Sequence, residues 1–311
     1  MKRDERKPKD TEQPLTNPIN REEPADEEQL EAISSWRDTF RRLRKNRFAV
    51  AGLIIIIFFL ILGLVAPLLT SYSFQEQNLA NRLQPPSGEH WMGTDDLGRD
   101  IFTRIAYGAR VSLQVGFFAV TGALVFGTLL GIIAGYFGRW VDMIISRVFD
   151  ILLAFPSILL AIAIVAILGA SLQNALIAIA IINIPIFGRI VRSRVISLRE
   201  EEYIMAARAQ GMKNGRIIFR HILPNSITPI IVQSTLGFGT AILEAAALGF
   251  LGLGAQPPTP EWGQMLASSR EFIQLAPWTL LMPGLSIMLV VLGFNLIGDG
   301  LRDILDPKMR N

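Results

Sequence analysis

The chain has 311 residues, half of them apolar, with a mean hydropathy of +0.38 and 18% charged side chains, against roughly 25% in soluble domains. Those figures exclude an ordinary soluble enzyme and an intrinsically disordered protein, and the absence of cysteine excludes a disulfide scaffold, a thiolate metal site and a Cys nucleophile. The formal charge of +3 becomes informative only when mapped along the chain, and the two histidines, His90 and His221, lie far apart in it.

Residues 1–35 carry 6 basic and 10 acidic side chains, several prolines and few aliphatics. Such a segment cannot bury enough apolar surface to offset its ordering entropy. It reads as a disordered cytoplasmic tail, a solvated extension rather than a docking element. The pattern then changes. Leu30, Ile33, Trp36, Phe40 and Leu43 recur at spacings of three and four and share one helical face. Arg37, Arg41, Arg42, Arg44, Lys45 and Arg47 crowd the end nearest the first apolar block. This predicts a basic helix over 36–47 lying at lipid headgroups. A membrane segment one residue later makes lipid, not nucleic acid, its counterpart.

A bilayer core takes about 20 apolar residues as a helix. Phe48 to Leu69 is 22 residues without a charge. It starts too late and runs too long for a signal peptide, so it reads as a retained helix. Residues 70–108 form an extracytoplasmic loop. Asp95, Asp96 and Asp100 there hint at a calcium loop, but the remaining ligands, including a Glu at the twelfth position, are missing. A capped turn leading into an interfacial helix fits better, and no metal is expected.

Val111 to Gly138 is 28 residues without a charge and Ile151 to Gly188 is 38. The second is too long for one span and breaks at the polar run Gly169 to Asn174. Ile222 to Gln256 is interrupted only by Glu244, and Phe272 to Gly298 is 27 uncharged residues. The expectation is an all-α polytopic membrane protein with six spans, at 48–69, 111–137, 149–169, 174–193, 226–248 and 277–298. With the N-terminus inside, 25 of the 30 Lys and Arg fall on the cytoplasmic side. The positive-inside rule therefore sets N-in and C-in, with residues 301–311 a cytoplasmic tail. Pro156, Pro185 and Pro283 predict kinks.

Within the spans, Gly127, Gly131 and Gly135 repeat every four residues, a spacing that lets two helix backbones approach closely. The pattern leaves the partner helix open. Glu244 is the one carboxylate of the last two spans. Without an intramembrane Lys, Arg or His it makes a poor proton relay. It reads as a helix–helix hydrogen bond or as a pathway-lining group. Gly249, Gly252 and Gly254 follow it and predict a helix break. There is no H-E-x-x-H, no G-x-S-x-G and no G-x-x-x-x-G-K-[ST], so neither a hydrolase nor an ATPase is expected.

The cytoplasmic stretch from Glu202 to Asn225 is more patterned than a connector needs. Strong helix formers and acids at its start predict a helix over 202–210. Gly211 is placed to end it, and Asn214-Gly215 to make a turn. A second short helix is predicted over 216–223, stopping at Pro224. Ala206 and Ala207 keep the first helix slim. It reads as a short helix offered to a cytoplasmic partner and tied to two spans; the bland alternative is an interfacial anchor.

Ala206-Ala207, then Gly211, then Leu223-Pro224 match the "EAA" loop of ABC-importer membrane subunits. Gly93-Thr94-Asp95 with Gly98-Arg99-Asp100, Gly108-Ala109-Arg110 with Ser112-Leu113, Phe250 to Gly254, and Gly298 to Asp303 with Asp306-Pro307 extend the likeness over residues 36–311. Together they resemble the second permease subunit of the oligopeptide/dipeptide importer subfamily.

That resemblance implies a type I importer transmembrane domain over 109–300 and a non-enzymatic translocation subunit for dipeptides or oligopeptides in a bacterial or archaeal cytoplasmic membrane. It implies a second homologous permease chain, two cytoplasmic ATPase subunits that hold ATP and Mg²⁺, and an extracytoplasmic binding protein, with no cofactor on this chain. Glu202, Tyr203, Met205, Ala206, Ala207, Ala209, Gly211, Leu223 and Pro224 would form the ATPase-coupling loop. Met205 stands where the family commonly has Glu, and Glu202 lies one turn earlier. Related subunits carry nickel, glutathione or other small solutes. A reading from another class, an ion-coupled secondary transporter, needs ion ligands and internal repeats that the sequence does not display.

Overall fold

The computed structural model describes residues 41–305. The tail over 1–35, the first five residues of the basic helix expected over 36–47 and the last six residues lie outside the described residues; of the rest of that helix, residues 41–43 are helical and 44–45 form a turn. Ten α-helices follow: α1 Arg47–Leu69, α2 Ile101–Phe137, α3 Arg139–Ala154, α4 Ser157–Leu168, α5 Leu172–Arg199, α6 Glu202–Ala209, α7 Asn214–Ile217, α8 Leu223–Phe250, α9 Trp262–Ser269 and α10 Trp278–Leu305. Asn46 starts α1. Its side chain accepts the N–H groups of Phe48 and Ala49 at 3.0 and 3.1 Å, and so separates the basic stretch from the span.

α2 and α5 form the central seam. Gly127 faces Ile184 and Phe187, Gly131 faces Gly188 and Val191, and Gly135 faces Arg192 and Val195. The helix that meets the glycine repeat thus belongs to the same chain. A Cβ at Gly131 would stand 2.5 Å from the Gly188 carbonyl oxygen, so the approach exists only because the side chain is absent. In lipid such packing, not hydrophobic exclusion, holds helices together.

The residue numbers along that seam rise together, so α2 and α5 run parallel. The chain between them must therefore return across the membrane, and here the structure corrects the expectation. The third crossing is not a helix over 149–169. It is α3 and α4, bent by 95° at Phe155-Pro156. Pro156 supplies no N–H, and it holds Phe155 extended at φ −94°, ψ 142°. α4 has 12 residues, about 18 Å of helix, too short to cross alone. α3 is strapped to α5 by Asp142–Arg192 and by Asp150–Arg189 at 2.6 Å, and Phe149 rests on Gly188. Five further helices are long and apolar enough to span, which gives six crossings.

Two more boundaries move. α2 starts at Ile101, inside the expected loop, because Asp100 caps it by accepting the Thr103 N–H at 2.7 Å. Its 37 residues extend about 55 Å, so its first turns stand clear of the hydrocarbon. Pro224 does not stop a helix, and Asn214-Gly215 does not form a separate turn. Asn214 begins α7, which passes through a π-helical segment, Ile218–Ile222, into α8. Pro224 lies in the first turn of α8, where a missing N–H is tolerated. The wider π-helical turn absorbs the ring.

α1 and α10 are antiparallel. Gly52 meets Gly293, and Ala49 meets Gly300, so both chain ends of the bundle lie on one side. At the outer end of α8, Gly252 adopts φ +75° and donates to Gly249 O at 2.9 Å. The Leu253 N–H returns to Leu248 O at 2.9 Å, a Schellman closure. α9 then tucks back. Trp262 is fully buried and donates from Nε1 to Ile105 O at 3.2 Å.

Candidate functional site

The cytoplasmic face is built around α6. Ile204 and Ala207 turn inward and join Val195 and Leu198 of α5, Ile217 of α7 and Ile222 in one apolar cluster. Glu202, Met205, Ala206 and Ala209 are exposed, and their spacing of three and four places them on one outward face. Two alanines there leave a shallow, narrow ridge. The C-terminus of α6 is closed tightly. Gly211 sits at φ +77° and donates to Arg208 O at 2.9 Å, and Met212 donates to Ala207 O at 3.0 Å. This too is a Schellman closure, and the left-handed residue must be glycine to avoid strain.

Polar ties fasten the loop to the spans. The Tyr136 hydroxyl, at the end of α2, donates to Asn214 Oδ1 at 2.9 Å. The Arg208 guanidinium lies 5.1 Å from the Tyr136 ring centre. Asn225 donates to His221 O at 2.7 Å and to the Tyr203 hydroxyl at 3.4 Å. Burial pushes the Tyr203 phenol up from its ordinary value, with the Glu201 carboxylate adding and Arg194 opposing. α6 is thus tied to α2, α5 and α8 together.

The outer loop closes on its own charges. Asp95 accepts Arg99 Nε at 2.7 Å and the N–H groups of Leu97 and Arg99 at 2.9 and 3.0 Å. Asp100, besides capping α2, meets His90 Nδ1 at 3.0 Å. Burial, with the Asp95 charge adding, raises the Asp96 carboxyl above its usual range, while Arg99 and Arg104 oppose. Of the carboxylates whose spacing hints at a calcium loop, Asp95 and Asp100 are committed to protein donors and Asp96 lies 3.8 Å from Arg99, and among the described residues no group of three or more potential ligands converges. Inside the spans, Glu244 of α8 accepts from Asn183 Nδ2 of α5 at 2.8 Å.

The profile of the binding-protein-dependent transport system inner membrane component matches residues 127–311, and that of the N-terminal transmembrane domain of oligopeptide transport permease C matches residues 34–86. The chain belongs to this permease family. It is 76% identical over 288 residues to the dipeptide transport system permease of Alkalihalophilus pseudofirmus, covering 93% of this chain and 95% of that one. It is 46% identical to the di/tripeptide permease of Pseudomonas aeruginosa, covering 93% and 97%. It is also 46% identical to the glutathione permease of Pectobacterium atrosepticum, covering 89% and 92%. Two inward-facing structures of the MetNI methionine ABC transporter share the fold, with TM-scores of 0.52 and 0.53 at 19% and 20% identity, covering 63% and 65% of this chain and 94% and 96% of theirs.

This permease is a C-type member of the dipeptide/oligopeptide subfamily and a multi-pass protein of the cytoplasmic membrane. It is a transport component, not a catalytic one, and such a component works with ATPase and binding-protein partners. Of the loop residues that the sequence pattern points to, Glu202, Tyr203, Met205, Ala206, Ala209, Gly211 and Pro224 are exposed in the permease, Leu223 is half-buried and Ala207 is buried. Ala207 therefore packs α6 down instead of presenting a surface. Sequence pattern alone does not point to Tyr136, Arg208 or Asn183, nor to the bond that Asn214 makes. The one local signal among them is Asn183, an amide set in an apolar block.

Proposed function

We propose that this permease imports short peptides, dipeptides first, as one half of a translocation pathway shared with a second homologous permease chain. Two cytoplasmic ATPase subunits, which hold the ATP and Mg²⁺, drive it, and an extracytoplasmic binding protein delivers the cargo. The 76% identity to a dipeptide permease supports this substrate over glutathione, itself a tripeptide, whose permease is 46% identical.

The observation that carries the coupling role is the two-sidedness of α6. One face is locked into the cluster of α5 and α7, and the other is bare and slim. ATP binding closes the ATPase dimer around the ridge of Glu202, Met205, Ala206 and Ala209. The push passes through Ile204 and Tyr136 to the spans and shifts the population from inward- to outward-facing. Differential affinity for ATP in the two states supplies the free energy.

Two measurements test it: mild-detergent purification of the tagged permease from its native membrane, and uptake of a labelled dipeptide by the reconstituted complex with its binding protein. The expected results are a second permease and Walker-motif ATPases in stoichiometric amounts, and ATP-dependent accumulation. Recovery of this chain alone, even after cross-linking through residues 203–215, would overturn the proposal.

A further inference from the structure

A charge at membrane depth is costly and normally faces protein or water. Thr240 and Glu244 lie four apart on α8 and share a face; Thr240 is exposed and Glu244 half-buried. Glu244 stands six residues before the end of α8 at Phe250, about 9 Å below its outer end. The face is therefore neither sealed in the bundle nor suited to lipid.

The carboxylate is held but not satisfied. Asn183 Nδ2 donates to Oε2 at 2.8 Å and also to Ile179 O of its own helix at 2.9 Å. Asn183 is itself buried, so this clamp is fixed. Among the described residues no hydrogen bond reaches Oε1, and no Lys, Arg or His pairs with the group. Two charged residues on neighbouring elements are occupied elsewhere. Arg189 of α5 pairs with Asp150, and Glu261, packed on Gly249, accepts from the Gly263 and Gln264 N–H groups.

A carboxylate with one oxygen clamped and the other free is an acceptor waiting for a cation. Every unblocked peptide carries one, the α-ammonium group, compact and charged at neutral pH. We infer that Glu244, oriented by Asn183, receives the α-ammonium group of the peptide as the cargo passes the outer part of α8. The inference rests on the peptide reading above. It assigns Glu244 a cargo contact in place of a helix–helix hydrogen bond alone.

The test uses the complete importer in proteoliposomes, supplied with binding protein and ATP, and compares wild type with Glu244→Gln. Glutamine keeps an acceptor for Asn183, so a purely structural hydrogen bond would survive the change. A lost charge-assisted contact is expected to reduce dipeptide uptake roughly tenfold at pH 7, with complex assembly and ATPase stimulation retained. Glu244→Asp should recover part of the rate. The decisive readout is the wild-type to Glu244→Gln uptake ratio across pH 7 to pH 9.5. Effects on the binding protein are common to both and cancel. The ratio should fall toward one as the cargo amine deprotonates around pH 8. A ratio near one throughout, or a tenfold ratio that does not change with pH, overturns the inference while dipeptide import stands. No dipeptide uptake by the wild-type importer overturns the peptide reading itself, and this inference with it.

Discussion

Two connectors on opposite faces of the permease are held by opposite means. The outer one, residues 70–100, is fastened by buried charge: Asp95 with Arg99 and Arg104, and Asp100 with His90 and the first turn of α2. The inner one, residues 200–222, is fastened by an apolar cluster under α6 and a few polar ties at its edge. The outer connector turns its buried charges on one another. The inner connector is fixed from one side only and leaves Glu202, Met205, Ala206 and Ala209 bare. The relay proposed for α6 needs a segment rigid toward its own spans and bare toward a partner, and of these two connectors the inner one has both features.

The largest effect should come from breaking the closure of α6. Gly211 has φ +77° and donates its N–H to Arg208 O. Proline fixes φ near −65° and has no N–H, so Gly211→Pro re-aims the chain after α6 without touching a core residue. Dipeptide uptake should fall roughly tenfold or more, with membrane insertion and yield unchanged. Near wild-type uptake would show that the geometry at 211 is not used. Asp95→Ala tests the outer connector. It removes the shared partner of two arginines, 5% and 1% exposed at the side chain, leaving Arg99 with Asp96 at 3.8 Å and Arg104 with the Phe74 carbonyl at 3.2 Å, and should cost about 3 kcal/mol, read as a lowered unfolding midpoint in detergent. A loss below about 1 kcal/mol would erase the contrast between the two connectors.

Much of this contrast is legible in the amino-acid sequence. Uncharged blocks and Lys/Arg bias reveal the crossings and their orientation, and Gly211 and Gly252 mark helix ends because few other residues adopt positive φ. Pro156 marks a kink, but not a 95° break into two helices: the run from Ile151 to Leu168 is apolar on every side, so periodicity carries no signal there. Pro224 misleads because a proline reads as a stop, whereas at the start of α8 it costs little. Asp100 is legible as a cap, but not the length of the helix it begins. Contacts such as Tyr136 with Asn214, or Asn183 with Glu244, join residues 78 and 61 positions apart. No local pattern encodes them; they follow from the parallel seam of α2 and α5 and from the return of α8.

Smaller substitutions sharpen the comparison from the inner side. Tyr136→Phe deletes the hydroxyl bonded to Asn214 but keeps the ring under Arg208. A single neutral hydrogen bond is worth about 1 kcal/mol. The expected outcome is a slightly lower unfolding midpoint and a measurable loss of ATP-driven uptake, because the proposed coupling uses the tie between α7 and α2 as one of its routes for force. Unchanged uptake would leave the apolar cluster as the sole relay.

The smallest effect on stability should come from Met205→Glu. Met205 is 50% exposed and lies on the bare ridge of α6, so the change removes no buried contact. A surface substitution of this kind stays within about 0.5 kcal/mol, and an acid near a helix N-terminus is, if anything, favourable. Its effect should appear only when the ATPases are bound, as a salt-dependent change in ATP-driven uptake, since exposed charge pairs weaken with ionic strength. A destabilisation above about 1 kcal/mol in the isolated permease would mean that the ridge is packed rather than free. That result would remove the difference between the two faces of α6 on which its role as a relay depends.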